Sequence, residues 1–442
     1  MPRSPVAILI ALSATLFATF TLNSGASLQS SLLALRASAE DFAPFHTGLI
    51  MASYYIGFIG GIVWGGNLVN RVGHIRTFAA LASIGSAISL LHAVFIDPLT
   101  WAIFRAFTGL CLSGLYLVVE SWLNEQVDNN SRGGMMAVYM TASLGGLAIG
   151  QLLLNLSPVT GFELFTLASV LLSLSLVPIA LSRQPPPAAV KTVRMKFRRL
   201  YKISPLGFVG AVCSGILTGS VYALGPVFAA MLDLPTADIA TFMFFIIFGG
   251  MLCQWPIGRL SDRVPRQYVM IAVLGGLAVT CLIPMVMPQI VHDNVIAWGA
   301  LVGIFVMPVY ALSVAYVNDY LSAEDFVPAS AALLIVYGAG AAVGPVVGSL
   351  ALGHFGAWGL PGMFAIVALA TGTFAMYRAG FGRRISIEEQ GQFVAVPRTT
   401  PMAYEMAPTT DAPNDGTPTP PDDSAPSPPP PTQNPGGTAN AA

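Results

Sequence analysis

Gln254-Trp255-Pro256-Ile257-Gly258-Arg259-Leu260-Ser261-Asp262-Arg263-Val264-Pro265-Arg266 closes a long apolar run with a short polar hinge. An earlier echo lies in Gly66-Asn67-Leu68-Val69-Asn70-Arg71-Val72-Gly73-His74-Ile75-Arg76, displaced by 192 residues (258 − 66). Both copies show a Gly, a Leu two residues on, then Asp262 or Asn70, and then basic residues. Two further pairs keep nearly the same spacing. Gly109 with Tyr116 matches Gly303 with Tyr310, and Gly150 matches Gly344, each displaced by 194 residues (303 − 109, 344 − 150). A chain that repeats itself once, in the same order, across two sets of apolar helices has the parallel-repeat plan of many transporters, which hold their site between the halves.

Charged residues make up 9% of the chain and hydrophobic ones 55%, against roughly 25% charged in a soluble domain. Apolar stretches of about 20 residues, each long enough for a hydrocarbon core of about 30 Å, recur along it. Twelve are expected: Val6 to Leu33, Thr47 to Val69, Thr77 to Ile96, Leu99 to Leu123, Gly134 to Leu156, Glu163 to Leu181, Pro205 to Met231, Ile239 to Ile257, Tyr268 to Pro288, Val295 to Val317, Pro328 to Leu352 and Pro361 to Met376. The expected class is therefore an all-α integral membrane protein of twelve transmembrane helices in two six-helix parallel-repeat halves. The first span carries Ala37-Ser38-Ala39 behind it, like a signal-peptide cleavage site. Its apolar run is too long for a signal core of roughly 7 to 15 residues, and the repeat requires it, so it is read as a retained helix.

The domain reading is a first half over 1–183, a basic linker over 184–204, a second half over 205–378 and a Pro-rich tail over 379–442. The tail has few large apolar residues to offset the entropy of ordering and is expected to be disordered. Nearly all arginines between spans, with the basic linker, fall on one side, and only Arg36 falls outside, so both termini are expected in the cytoplasm. The basic and apolar alternation of Val193 to Lys202 suits an anionic inner leaflet, which makes membrane lipids expected partners. The net charge of −1 offers nothing to nucleic acid. Cys111, Cys213, Cys253 and Cys281 sit in different spans without metal or disulfide spacing. The tryptophans near span ends, Trp64, Trp101, Trp122, Trp255 and Trp298, read as an aromatic belt.

Ionisable groups inside a bilayer cost a few kcal/mol by insertion scales, so those present are functional candidates. Arg105 is the clearest, about 9 Å in from Leu99 along the fourth span. Glu120 follows about 22 Å along the same helix and about 60° around it, with Gly109 and Tyr116 on the same face. Near the inner end, Glu120 is placed to pair with Arg71 or Arg76 as an electrostatic gate. Asn23, Gln151, Tyr222, Gln254, Tyr310 and Tyr337 join Arg105 and Tyr116 as candidates to line a central cavity, the alternative for each being interhelical hydrogen bonding. The chain has no Gly-x-x-x-x-Gly-Lys-Ser/Thr loop for direct ATP coupling. It shows no intramembrane histidine cluster, and neither an enzyme, a metal nor a cofactor is expected.

The hinge Gly258-Arg-Leu-Ser-Asp262-Arg263, its weaker copy at Gly66 to Arg76 and Arg105-x-x-x-Gly109 resemble the signature motifs of the major facilitator superfamily. Within it, Val118-Val119-Glu120-Ser121, Gly150-Gln151-Leu152-Leu153 and Gln254-Trp255-Pro256-Ile257-Gly258-Arg259-Leu260 resemble the YcaD-like bacterial group. The resemblance implies the major facilitator fold, a bacterial inner-membrane location and a rocker-switch secondary transporter of a small solute, with proton coupling as an added expectation and a monomer as the expected state. It implies a gating role for Asp262 with Arg263 and Arg266 at Gly258, and for the first copy at Asn70, Arg71, Gly73 and Arg76, where Asn70 replaces the usual acid. Two other readings remain. One is a multidrug or toxic-compound exporter, for which the Gly-Pro pair expected in the fifth helix is here Gly150-Gln151. The other is a transporter-like sensor or scaffold without solute flux. Substrate, direction and coupling ion are not legible.

Overall fold

The computed structural model describes residues 5–125, 132–181, 187, 195–381 and 385–404, and among them every regular element is helical. In chain order these are α1 (Pro5–Ala39), α2 (Pro44–Val72), α3 (His74–Val94), α4 (Pro98–Glu125), α5 (Arg132–Leu152) and α6 (Glu163–Ala180). A short α7 (Phe197–Ile203) lies in the linker. The second half follows with α8 (Pro205–Ala230), α9 (Thr236–Ser261), α10 (Arg266–Val286), short α11 (Pro288–Asp293), α12 (Val295–Val306), α13 (Pro308–Asn318), α14 (Phe326–Phe355) and α15 (Gly359–Phe381). Eleven spans, with α12 and α13 counted as one, are long and apolar enough to cross a membrane, and α1 is a further helix of 35 residues. The helices belong to one unit, residues 1–408; residues 184–186 and 188–194 of the expected linker and the chain from Glu405 on lie outside the described residues.

Local chemistry sets the helix ends. Pro44 and Pro205 start α2 and α8, where a missing N–H costs nothing. Gly73 ends α2 at φ 94°, a conformation that disfavours any residue with a Cβ, and so turns the chain into α3. The expected span from Val295 to Val317 is broken, because Pro308 cannot continue the ladder and Met307 becomes a turn between α12 and α13.

The two halves repeat their packing. In the first, α1 lies against α5 and α6, α2 against α4, and α3 against α4 and α6; in the second, α8 lies against α14 and α15, α9 against α12, and α10 against α12 and α15. Contacts between the halves are exchanged in the same way, α2 with α14 and α5 with α9, while α1 meets its counterpart α8. The glycine pair found at 194 residues' spacing explains the closest of these crossings. A Cβ on Gly109 would lie 1.9 Å from the Tyr54 carbonyl oxygen of α2, and one on Gly303 would lie 1.9 Å from the Ile246 carbonyl oxygen of α9. Backbone therefore meets backbone at the same place in each half, as small residues permit in membranes.

Only part of the expected aromatic belt exists. Trp64 and Trp255 are exposed, whereas Trp101, Trp122 and Trp298 are buried. Trp101 donates to the Phe95 carbonyl at 2.6 Å and Trp298 to the Thr280 carbonyl at 2.9 Å, so each fastens the fourth span of its half to the third. A tryptophan N–H near a span end serves a protein carbonyl as readily as a headgroup.

The Gly303→Ala variant should be destabilised by about 1–3 kcal/mol, the usual cost of overpacking. Gly275→Ala, where a Cβ would meet nothing within 4 Å, should unfold like the parent. Thermal unfolding in detergent compares them, and equal midpoints would contradict the crossing.

Candidate functional site

A cavity of about 160 Å³ lies between the halves. Its first-half wall comes from α1 (Asn23, Ser27, Ser30), α2 (Met51, Tyr54, Tyr55, Phe58), α4 (Arg105, Tyr116) and α5 (Met140, Ser143, Leu144). Its second-half wall comes from Tyr222 on α8, Gln254 on α9, Met307 at the helix break and Tyr337 on α14. Six of the eight residues read from sequence as substrate candidates thus converge on one space: Asn23, Arg105, Tyr116, Tyr222, Gln254 and Tyr337.

The other two do not line it. Gln151 is buried between α1 and α5, donating to Ser27 Oγ and accepting from Ser31 Oγ, both at 2.6 Å. Tyr310 is buried behind Tyr337, ring edge against ring at 5.1 Å between centroids. Both are packing residues here. Tyr54 and Tyr55 on α2, two more aromatic groups within a span, line the cavity as well.

Arg105 is 3% exposed, and its Nε has no hydrogen-bond partner. Its guanidinium lies 4.7 Å from the Tyr54 ring centroid, and no carboxylate pairs with it among the described residues. A desolvated cation–π contact is worth about 2 kcal/mol, less than the several kcal/mol that burying an ion costs. The cavity wall therefore carries positive charge that the protein does not neutralise. Beside it, Tyr116 donates to Asn23 Oδ1 at 2.9 Å, which fixes α4 against α1 and orients both groups.

The tail departs from expectation. Residues 385–404 are described, and part of them enters the cavity from the end of the bundle that carries the hinge: Val396, Pro397, Arg398 and Thr399 complete the lining. Apolar residues in the stretch, Val396, Met402 and Ala403, are buried against the helices. This small apolar island within the Pro- and Thr-rich composition is the signal that a reading of the tail as a whole passes over.

The hinge residues hold the tail's entry. Arg266, 1% exposed, donates to the Ala315 carbonyl at 2.9 Å and to Asp319, and pairs with Asp262 at 3.3 Å. It also donates to the Gly391 carbonyl. Asp319 accepts from the Gly391 N–H at 3.2 Å, and Asp262 accepts from the Phe393 N–H at 2.8 Å. The Phe393 ring sits against Gly258, where a Cβ would lie 2.2 Å from it. Asp262, Arg266 and Gly258 thus meet in one cluster, with Asp319 as the member that motif reading did not assign. Arg263 is exposed beside them.

Glu120 is not paired with Arg71 or Arg76. Both arginines are exposed, and Glu120 is fully buried. Its carboxylate accepts from the hydroxyls of Tyr139, Thr399 and Thr400, two of them on the tail. The charge-pair expectation fails because the tail supplies neutral donors at the place where a basic partner was sought. Asn70, with Gly73 and the two arginines, stays at the other hinge, apart from the cavity lining.

A sequence profile described as the Major Facilitator Superfamily matches residues 15–290 and 242–395. An uncharacterized MFS-type transporter of Yersinia pestis is 24% identical over 340 residues, covering 74% of this chain and 85% of the relative. The uncharacterized MFS-type transporter YcaD of Escherichia fergusonii is 24% identical over 333 residues, with the same coverage. Among solved structures, the nucleoside transporter NupG superposes with a TM-score of 0.69 at 12% identity, covering 85% of this chain and 99% of that one. A bacterial homologue of the human lysosomal transporter Spinster, inward-facing and occupied, gives 0.65 at 12% identity, covering 88% and 99%.

Burial pushes the Asp319 carboxyl up to about 6, outweighing the attraction of Arg266, with Asp262 adding to the rise. A raised value means that the packed state holds this proton more tightly than the unfolded one, so its contribution is fully present below the ordinary value of 3.8 and is lost as pH rises through about 6. Thermal stability in detergent should carry a component that declines between about pH 4 and pH 7 and is missing in Asp319→Asn. Superimposable pH profiles for the two proteins would refute it.

Proposed function

The chain belongs to the major facilitator superfamily and is an integral membrane transporter, and from that premise we propose a secondary active carrier of small solutes bearing an anionic group. The observation that carries this is Arg105, buried in the cavity wall without a carboxylate partner among the described residues. An anionic group in the cavity would supply the charge-assisted hydrogen bonds that Tyr54 cannot. The repeated halves with their exchanged contacts suit alternating access by rocking about a central site. The basic residues of the hinge loops support a cytoplasmic position for that end of the bundle.

Proton coupling is assigned to Glu120. Its described side-chain partners are hydroxyls and no cation, so the site can hold the carboxyl in either protonation state without leaving a basic group unpaired. The exporter reading, with lipophilic cations as cargo, is disfavoured by the positive charge already standing in the wall. The sensor reading predicts ligand binding without flux.

Purified protein in vesicles, screened with anionic metabolites, tests these together. Arg105→Ala should weaken binding of an anionic solute about 10- to 100-fold, the worth of a hydrogen bond to a charged group, and Arg105→Lys should retain part of it because lysine keeps the charge without the planar fork. Glu120→Gln should uncouple solute movement from a pH gradient. Equal binding in wild type and both Arg105 variants would reject the anionic-solute reading, and binding without flux would favour the sensor.

A further inference from the structure

The second-half wall of the cavity is built to hold a positive group. Met307, the single residue between α12 and Pro308 at the start of α13, lines the cavity. Broken helices whose carbonyls line a polar space are the membrane's usual way of offering oxygen to a cation. Arg398 occupies this place. Its Nη2 donates to the Met307 carbonyl, and its Nη1 donates to Thr218 Oγ1 at 3.2 Å. Both nitrogens lie 3.7 Å from Met307 Sδ, and the guanidinium lies 5.8 Å from the Tyr337 ring centroid.

Three kinds of acceptor thus converge on one cation: a backbone carbonyl at a helix end, a hydroxyl and an aromatic face. No carboxylate pairs with Arg398 among the described residues, so the attraction comes from dipoles and the ring quadrupole. Such a seat favours a guanidinium or an ammonium over an anionic group.

We propose that this seat is the subsite for the cationic group of the transported solute, and that Arg398 occupies it as a competitor carried on the chain's own tail. The inference rests on the proposed carrier function and narrows its substrate to amphoteric molecules. The anionic end meets Arg105 on the first-half wall, and the cationic end meets Thr218, Met307 and Tyr337 on the second. Such a solute bridges the two halves, the requirement for a ligand whose binding biases their rocking.

The tail suits the part of a displaceable ligand. Gly391, at the hinge, lies only ten positions beyond the end of α15 (391 − 381). A tether that short holds the segment at an effective concentration on the order of millimolar. The solute then has to outcompete its own mimic.

Full-length wild type, Arg398→Ala and Arg398→Met, the last retaining an unbranched apolar stem, are titrated in detergent with a homologous series of ω-guanidino carboxylates, the matching alkylguanidines and the matching alkanoates. Both variants should bind the best guanidino carboxylate about tenfold or more tighter than wild type, because the tethered competitor is gone. Thr218→Val added to Arg398→Ala should remove most of that gain. If no guanidinium probe distinguishes wild type from either variant, the seat is not a ligand subsite and the proposal is overturned. The alkanoates report on Arg105 alone. Alkanoate binding that is lost in Arg105→Ala, without any guanidinium gain in the Arg398 variants, would overturn the cation seat and leave the carrier reading standing.

Discussion

Contact of backbone with backbone at the glycine crossings is the constraint from which the rest of the molecule follows. In hydrocarbon there is no hydrophobic drive between helices, so association depends on close packing and on hydrogen bonds that cannot be exchanged for water. Gly109 against α2 and Gly303 against α9 bring the second and fourth spans of each half together at equivalent points. The same logic operates where Gly150 and Gly344 would place a Cβ 2.4 Å from the Ser24 carbonyl and 2.3 Å from the Ile216 carbonyl, joining α5 to α1 and α14 to α8. With two rigid halves fixed in this way, the polar groups that remain are gathered between them.

The polar side chains divide by whether the protein satisfies them. Ser27, Ser31 and Gln151 bond one another across α1 and α5, and Tyr116 bonds Asn23 across α4 and α1. These pairs spend their hydrogen-bonding capacity on assembly. Arg105 differs, since the cation–π contact with Tyr54 leaves most of the desolvation of its charge uncompensated. A buried charge kept in a cavity wall at such a cost is the feature on which the proposed anionic solute rests.

The tail changes how the hinge is understood. In the family motif the acid and arginines of the hinge steady one arrangement of the helices. Here Asp262 and Arg266, joined by Asp319, also take the backbone of Gly391 and Phe393. The ion-pair cluster that locks the second half is thereby also the anchor of a segment reaching the cavity. Glu120, on the first half, receives the hydroxyls of Thr399 and Thr400. One short stretch of chain thus bonds to both halves at once, so it opposes any motion that separates them at that end.

The membrane class, the span positions and the repeat were legible because they are written in residues near one another: apolar runs of fixed length, and landmarks at offsets of 192 and 194. Arg105 was legible for the same reason, a charge within an apolar run standing out whatever its neighbours are. Sequence could not separate Gln254, which lines the cavity, from Gln151, which does not, because each is one polar residue in an apolar helix and only helix rotation distinguishes them. Nor could it separate Trp255 in the belt from Trp298 in the core, since an indole N–H is served equally by a headgroup or by a carbonyl on another helix. The tail was the largest gap. Its composition argues for disorder when averaged over all its residues, and the bonds that seat Arg398, Thr399 and Thr400 go to Met307, Thr218 and Glu120. Partners that far away in the chain leave no local pattern, and only the packed fold brings them together.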